Sequence, residues 1–563
     1  MIYHCEDHTC NYWDEGEKLP ERCPQCGRKL LRANEADMTG DDWTALGNTL
    51  WDAEASDKKR MVDCFRKAAY LGSAWGVCNL GICMEQGNGV EADPVQAFWL
   101  YQQAVEMGSL NAVCCLGVCY QYGIGTAPDA EKAAELYCKA AEYGSPRGQM
   151  LLARAFHDGI GVEADAAEAV HWVRAAAYQR YGEGMYRLGV CYEYGDGVEQ
   201  NWEHAVHWFR EAAESGVSVA MADLGYCYEK GCGVEQSWEQ AFSWYRRGAE
   251  CGYPVSMSNL GLCYKRGYGV DQNWQEAIKW YEQGAQCGHL QSMNNLAYCY
   301  ERGEGVEQNE DRALYWYRRG AEAGSDYCMY CLGWNYSNGE GVEQNMTEAI
   351  RWYTAAAEGG NADAMHDLGW LYDHGEGVEQ DMKKAICWYE RAAEQNHPAA
   401  MNSLGECYAM GRGVPRDLET AMEWYRRAAE LGEAMADYNM GWHLEQAGKL
   451  SEAYAHYRKA ADGNDDSAWW ALGRFYENGV VVAQDGKEAR RCYETGEKLG
   501  SVKCKMRLAR CKLLGIGGRR AKKAGLDLCR QALELAKESS EKEDYGYEAE
   551  MNLLRRTIAE NES

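Results

Sequence analysis

Proline is scarce in this chain of 563 residues, at 8, and phenylalanine is scarcer still, at 6. So few prolines leave helical stretches uninterrupted. No apolar run approaches the roughly 18 residues needed to cross a bilayer. The opening MIYHCEDHTC lacks a basic and then apolar secretory pattern, so the expected location is the cytoplasm, with no membrane partner. Basic charge is also short: 58 Lys and Arg against 87 Asp and Glu give a net charge of -29. An acidic field of that size repels phosphate and opposes general nucleic-acid binding. GxSxG, HExxH and SxxK in a supporting context are missing, as is GxxxxGK[ST]. Neither an enzyme nor a nucleotide cofactor is therefore expected.

What is abundant is tyrosine (39), tryptophan (21), glycine (62) and cysteine (26), and most of it falls at a fixed period. Leu-Gly-like pairs start at 46, 80, 116, 152, 188, 224, 260, 296, 332, 368, 404, 440, 472 and 508, with steps of 34, ten of 36, 32 and 36. Fourteen copies of a 36-residue unit signal an all-α solenoid of helix pairs. The stretch LGYCYEKGCGVEQSWEQAFSWY, Leu224 to Tyr245, shows the unit most clearly.

Each copy opens with a helix in which the Gly or Ala of the pair lets its partner approach. A GxG follows, as in Gly87-Asn-Gly89 or Gly411-Arg-Gly413, whose first glycine suits a left-handed helix end. The second helix opens thirteen residues after the Leu, at Asp93, Asp129, Asp165, Asn201, Ser237, Asn273, Asn309, Asn345, Asp381 and Asp417. These side chains accept from unpaired first-turn amides. Seven residues on stands a tryptophan ladder from Trp172 to Trp424, read as core. In the copy at Met440 the glycine loop shrinks to an AGK turn, which accounts for the step of 32.

Residues 1–37 carry no repeat. Cys23-Pro-Gln-Cys26-Gly27 is a metal knuckle, two thiolates three apart before a turn glycine, and Cys5 and Cys10 supply a second pair. A structural Zn2+ on Cys5, Cys10, Cys23 and Cys26 is expected, because so short a segment needs a staple. His8 is an alternative to Cys10, His4 a weaker one, and a rubredoxin-like iron site the other metal reading. Other cysteines follow the repeat, three residues after the Leu (Cys83, Cys119, Cys191, Cys227, Cys263, Cys299, Cys407 and Cys511). They read as small buried hydrophobes.

The LG-x-x-Y, G-x-G-V and A-x-x-W-Y-x-x-A-A elements resemble the Sel-one-like repeat, a relative of the tetratricopeptide repeat, over residues 38–537. The resemblance implies a right-handed superhelix of antiparallel helix pairs that works as a scaffold or adaptor for protein partners. A secreted branch of that family pairs cysteines about eight positions apart. Here Cys251 and Cys287 have Asn259 and Asn295 at those positions, which argues against a hydrolase role. Tetratricopeptide relatives present the residues two before and two after the Leu to a concave groove. From repeat eight these are Asn294 and Tyr298, Tyr330 and Trp334, His366 and Trp370, then Asn402 and Glu406. They are either a partner-binding groove or rings packed between layers.

Residues 538–563 read as a capping helix and tail. Ahead of them, residues 501–526 hold nine Lys and Arg, including Arg507, Arg510, Arg519, Arg520, Lys522 and Lys523, with no Asp or Glu. This stretch offers a polyanion or nucleic-acid site, used jointly with the zinc ribbon of residues 1–37, or a contact for self-association. Neutralisation by Glu538, Glu541, Glu543 and Asp544 is the alternative.

Overall fold

Helix starts and stops follow the short-range chemistry of the repeat. Asp93, Asp129, Asn201, Asn273, Asn309, Asn345 and Asp417 each accept from a backbone amide two or three residues on. The first helices end on glycines in the left-handed region, such as Gly231 at φ 74° and Gly375 at φ 71°. The second glycine of each loop has a different task. A β-carbon on Gly233 would strike the carbonyl of Trp202, and one on Gly269 that of Trp238. There the loop lies directly on the opening turn of the preceding copy's second helix.

The computed structural model describes residues 2–5, 13–15, 30–33, 35–51, 55–542 and 547–562. Among them are 29 α-helices. The chain forms two units, Met1–Ser292 and Met293–Ser563. The first begins with a three-stranded antiparallel sheet in which Ile2–Cys5 lies between Trp13–Glu15 and Leu30–Ala33, with Ile2 opposite Glu15 and Cys5 opposite Leu30. Cys10, Cys23, Cys26 and the side chain of Cys5 lie outside the described residues. Helix pairs follow, from Gly40–Thr49 with Ala55–Tyr70 to Pro254–Arg266 with Trp274–Gln286. In the second unit, Asp326–Asn338 with Met346–Glu358 is a typical pair. The last repeat helix runs to Lys542, beyond the boundary at 538 drawn from sequence, and Glu548–Glu562 caps it.

The core of most pairs is a glycine, or in one copy Ala297, against a ring. A β-carbon on Gly225 would stand 2.6 Å from the Tyr245 ring, and one on Gly405 2.5 Å from Tyr425. Tyr101, Tyr137, Tyr245, Tyr281, Tyr317, Tyr389 and Tyr425 are fully buried in this role. In several copies the hydroxyl finds a partner five residues after the repeat Leu: Tyr101 donates to Glu85 (2.6 Å), Tyr137 to Gln121 (2.7 Å) and Tyr245 to Glu229 (2.9 Å). The core ring is thus the residue after the ladder tryptophan. Trp244 is buried, but Trp172, Trp208, Trp280, Trp316, Trp352, Trp388 and Trp424 are only half-buried. An arginine three residues on covers several of them, at 4.3 Å for Trp244 and Trp388 and 4.5 Å for Trp424. One turn of helix separates the two residues, so Trp and Arg share the wetter face.

Candidate partner-binding face

The two sequence-selected positions on each first helix have different surroundings. Asn294 is only 8% exposed; its Oδ1 accepts from Ser325 Oγ at 3.2 Å and from Cys328 Sγ at 2.6 Å, both on the following copy. Tyr330 is half-buried with its ring 5.8 Å from Tyr353, and burial pushes its phenol above the ordinary range. The His366 ring stacks on His397 at 5.2 Å, and its Nδ1 faces Asp367 at 3.0 Å. Asn402, 5% exposed, accepts from Asn439 at 3.0 Å and donates to Glu406 at 3.2 Å. The residues two before the Leu are therefore joints between layers, and as a set they offer little to a partner.

The residues two after the Leu differ. Trp334 is 45% exposed and Trp370 39%. The Trp370 indole stacks on His374 at 4.3 Å, and the His374 ring in turn hydrogen-bonds the Trp370 carbonyl at 3.0 Å, which holds the indole in one orientation. Tyr298 is half-buried with Arg302 over its ring at 5.8 Å. Glu406 is half-buried and tied to Asn402, Asn439 and Arg412. Sequence reasoning stopped at Glu406 and missed Trp442, which is 37% exposed at the same position of the next copy. Its signal was the Met440-Gly441-Trp442 triplet in the Leu-Gly register. Beside Trp334 opens a cleft of about 640 Å³ lined by Glu301, Glu310, Glu340 and Arg302 among others. Burial raises the Glu301 carboxyl above its ordinary value.

Part of the basic stretch is consumed by the fold. Arg507 makes a bidentate pair with Glu550 of the capping helix at 2.6 and 2.7 Å and reaches Glu477 at 3.4 Å, while Arg510 also binds Glu477. Arg520 donates to Asn561 at 2.7 Å. Glu543, Asp544 and the side chains of Glu538 and Glu541 lie outside the described residues; among the described residues, Glu477 and Glu550 neutralise Arg507 and Arg510. Arg519, Lys522 and Lys523 stay exposed.

The Sel1 repeat family matches twelve successive segments of the chain, from residues 76–109 to 468–501. The chain belongs to the Sel1-repeat family. The copies around Leu46 and Leu508 fall outside those segments; both stand at the ends of the array. Among solved structures, this Sel1-repeat chain is similar to a protective antigen of uropathogenic Escherichia coli with an SLR fold (29% identity, 89% of this chain and 94% of that one, TM-score 0.54). A Sel1 repeat protein from Oxalobacter formigenes also matches (27% identity, 58% and 92%, TM-score 0.44). No curated protein matches the chain. Among the described residues, no helix is long and apolar enough to cross a membrane.

Proposed function

We propose that the chain is a non-catalytic cytoplasmic scaffold that binds an extended segment of a protein partner across Tyr298, Trp334, Trp370 and Trp442 of its second unit. One observation carries the reading. In the same copies that bury Tyr353 and Tyr389 against glycine, Trp334 and Trp370 are left open to solvent in register. Large rings exposed at a fixed spacing are the type of residue that dominates interface energetics. Three carboxylates against one arginine around the cleft beside Trp334 favour a lysine or arginine in the partner, next to an apolar side chain. Membership of a helical repeat family supports a binding role, since such arrays offer long continuous surfaces.

Peptides selected from a random display library on the full chain test this. Those recovered should combine an apolar residue with a nearby Lys or Arg, and Glu310→Gln with Glu340→Gln should weaken them, more so at low salt. Acidic peptides unaffected by that change would contradict the reading.

We further propose that Cys5, Cys10, Cys23 and Cys26 hold a structural zinc ion. The strand register supports it: Cys5 ends its strand opposite Leu30, the residue at which the third strand begins. Strands of three and four residues are too short to stand without such a staple. Four protein ligands would close the coordination sphere. Purified protein should contain one zinc per chain, and Cys23→Ser should lose it with helical circular dichroism unchanged. Metal-free protein with four reactive N-terminal thiols would refute the site.

A further inference from the structure

Neighbouring first helices meet through a recurring pair of positions, two before the Leu of one copy and one before the Leu of the next. Asn439 donates to Asn402 there at 3.0 Å, and the hydroxyls of Tyr186 and Tyr330 bond to Asp223 and Asp367. Between the copies at Leu80 and Leu116 the two positions hold Cys78 and Cys115, and no other joint of the array places two thiols there. The two thiols share a hydrogen bond.

An amide and a guanidinium hold the two sulfurs from the neighbouring helices. Asn111 Nδ2 donates to Cys78 Sγ at 3.6 Å. Arg147 Nη1 donates to Asn111 Oδ1 at 2.6 Å and to Cys115 Sγ at 3.6 Å. The hydrogen bond from Cys78, helped by the Arg147 charge, holds the Cys115 thiol below its ordinary range although the residue is buried. Cysteines of the same helix without such partners go the other way: burial raises Cys114 and pushes Cys119 up to about 12. The Glu85 charge opposes the effect, and its carboxylate is engaged by the Tyr101 hydroxyl at 2.6 Å. A thiolate, not a thiol, is the form that attacks an oxidant.

We propose that Cys115 is an oxidation site for hydroperoxides and that Cys78 resolves it through a bond between neighbouring copies. The Cys115 thiolate attacks one peroxide oxygen, and the O–O bond breaks. The sulfur becomes a sulfenic acid, and the other oxygen leaves with a proton, as water when the oxidant is hydrogen peroxide. The Cys78 sulfur then displaces the sulfenic hydroxyl and forms the S–S bond, and that hydroxyl leaves with the Cys78 proton as a second water. One peroxide thus takes the two electrons given up by the two thiols.

Reduced full chain treated with equimolar hydrogen peroxide, alkylated under denaturing conditions and digested tests this by mass spectrometry. The first product expected is a peptide pair joined through Cys78 and Cys115. It should form before any oxidation of the exposed Cys251, Cys287 and Cys387, and dithiothreitol should reverse it. Cys78→Ser should stop the reaction at a sulfenic acid on Cys115 that dimedone labels. Arg147→Gln should slow formation of the bond about ten-fold, because less thiolate is present, and Arg147→Lys should slow it less; thermal melts check that both variants are folded. Oxidation of the exposed cysteines while Cys115 stays reduced would overturn the site. A Cys115 that bonds another cysteine in the native chain, or goes to sulfinic acid instead, would overturn the role of Cys78. An unchanged rate in folded Arg147→Gln would overturn the role of Arg147.

Discussion

Glycine and ring together set how closely the two helices of a copy approach. Gly225→Ala drives a β-carbon against Tyr245, and overpacking of this kind costs about 1–3 kcal/mol. Ala297, which stands in the glycine position of its own copy with Tyr317 fully buried at the ring position, places the expectation at the low end. Tyr245→Val alone should cost more, through the lost ring. Combined, the two changes reproduce the natural Ala153 and Val173 pair, so their costs should sum to less than additively in thermal melts; strict additivity would show that the residues do not interact. The small residue of this pair was plain in the sequence, whereas the identity of its ring was not. Trp244 and Tyr245 are adjacent aromatics, and only their neighbours tell them apart. Ala241, Gly248 and Ala249 lie one turn from Tyr245 and leave room for it, while Arg247 lies one turn from Trp244 and marks the wetter face.

Asp465 is a second residue-scale test. It caps Asp466–Asn478 by accepting from the Ala468 amide at 2.6 Å, and burial raises its carboxyl to about 6. The folded protein therefore holds a proton that the unfolded chain has released, and stability conferred at low pH is lost as pH rises from about 4 through 6. Asp465→Asn keeps the cap and removes the ionisation. It should gain on the order of 2 kcal/mol over the native protein at pH 7 and nothing at pH 4. Denaturant midpoints across that range check it, and a difference that does not change with pH would refute the assignment.

At the scale of elements, each first helix divides its two candidate positions between structure and surface. Four residues apart on a helix means a shared side, and the sequence pattern extends no further than that. Which of the two is covered depends on how the next copy is placed. Ser325 and Cys328 reach Asn294, so the position two before the Leu is closed, while the one two after remains open at Trp334 and Trp370. Cap residues and helix ends depend on neighbours within four residues and were legible. Contacts between copies depend on residues some thirty positions away and were not. The basic stretch shows the same limit, since its main partners are Glu477 and Glu550, 30 and 43 residues from Arg507. Glu550→Gln leaves Arg507, only 14% exposed, without half of its pairing. About 3 kcal/mol of stability should be lost, nearly independent of salt because the pair is shielded from solvent. Recovery in high salt would mean that the pair is a surface contact.

For the whole molecule, the 36-residue period made the all-helical solenoid legible before any contact was known, because each repeat reports on its neighbours. Function was less legible, since the residues proposed to carry it break the repeat only subtly. Trp334 and Trp370 occupy the position that holds Ile82 and Val118 in early copies, and nothing local distinguishes a ring kept for packing from one kept for a partner. The central claim is that the second unit uses these exposed rings for binding and its buried tyrosines for folding. It is tested most directly by measuring, in one Trp334→Ala, Trp370→Ala double variant of the full chain, both the melting temperature and the affinity for a peptide selected on the native protein. The account predicts a loss of about 2 kcal/mol or more in binding for each ring, with the melting temperature nearly unchanged. Unchanged affinity with a melting temperature lowered as far as Tyr353→Ala lowers it would contradict the account and make the tryptophans part of the core.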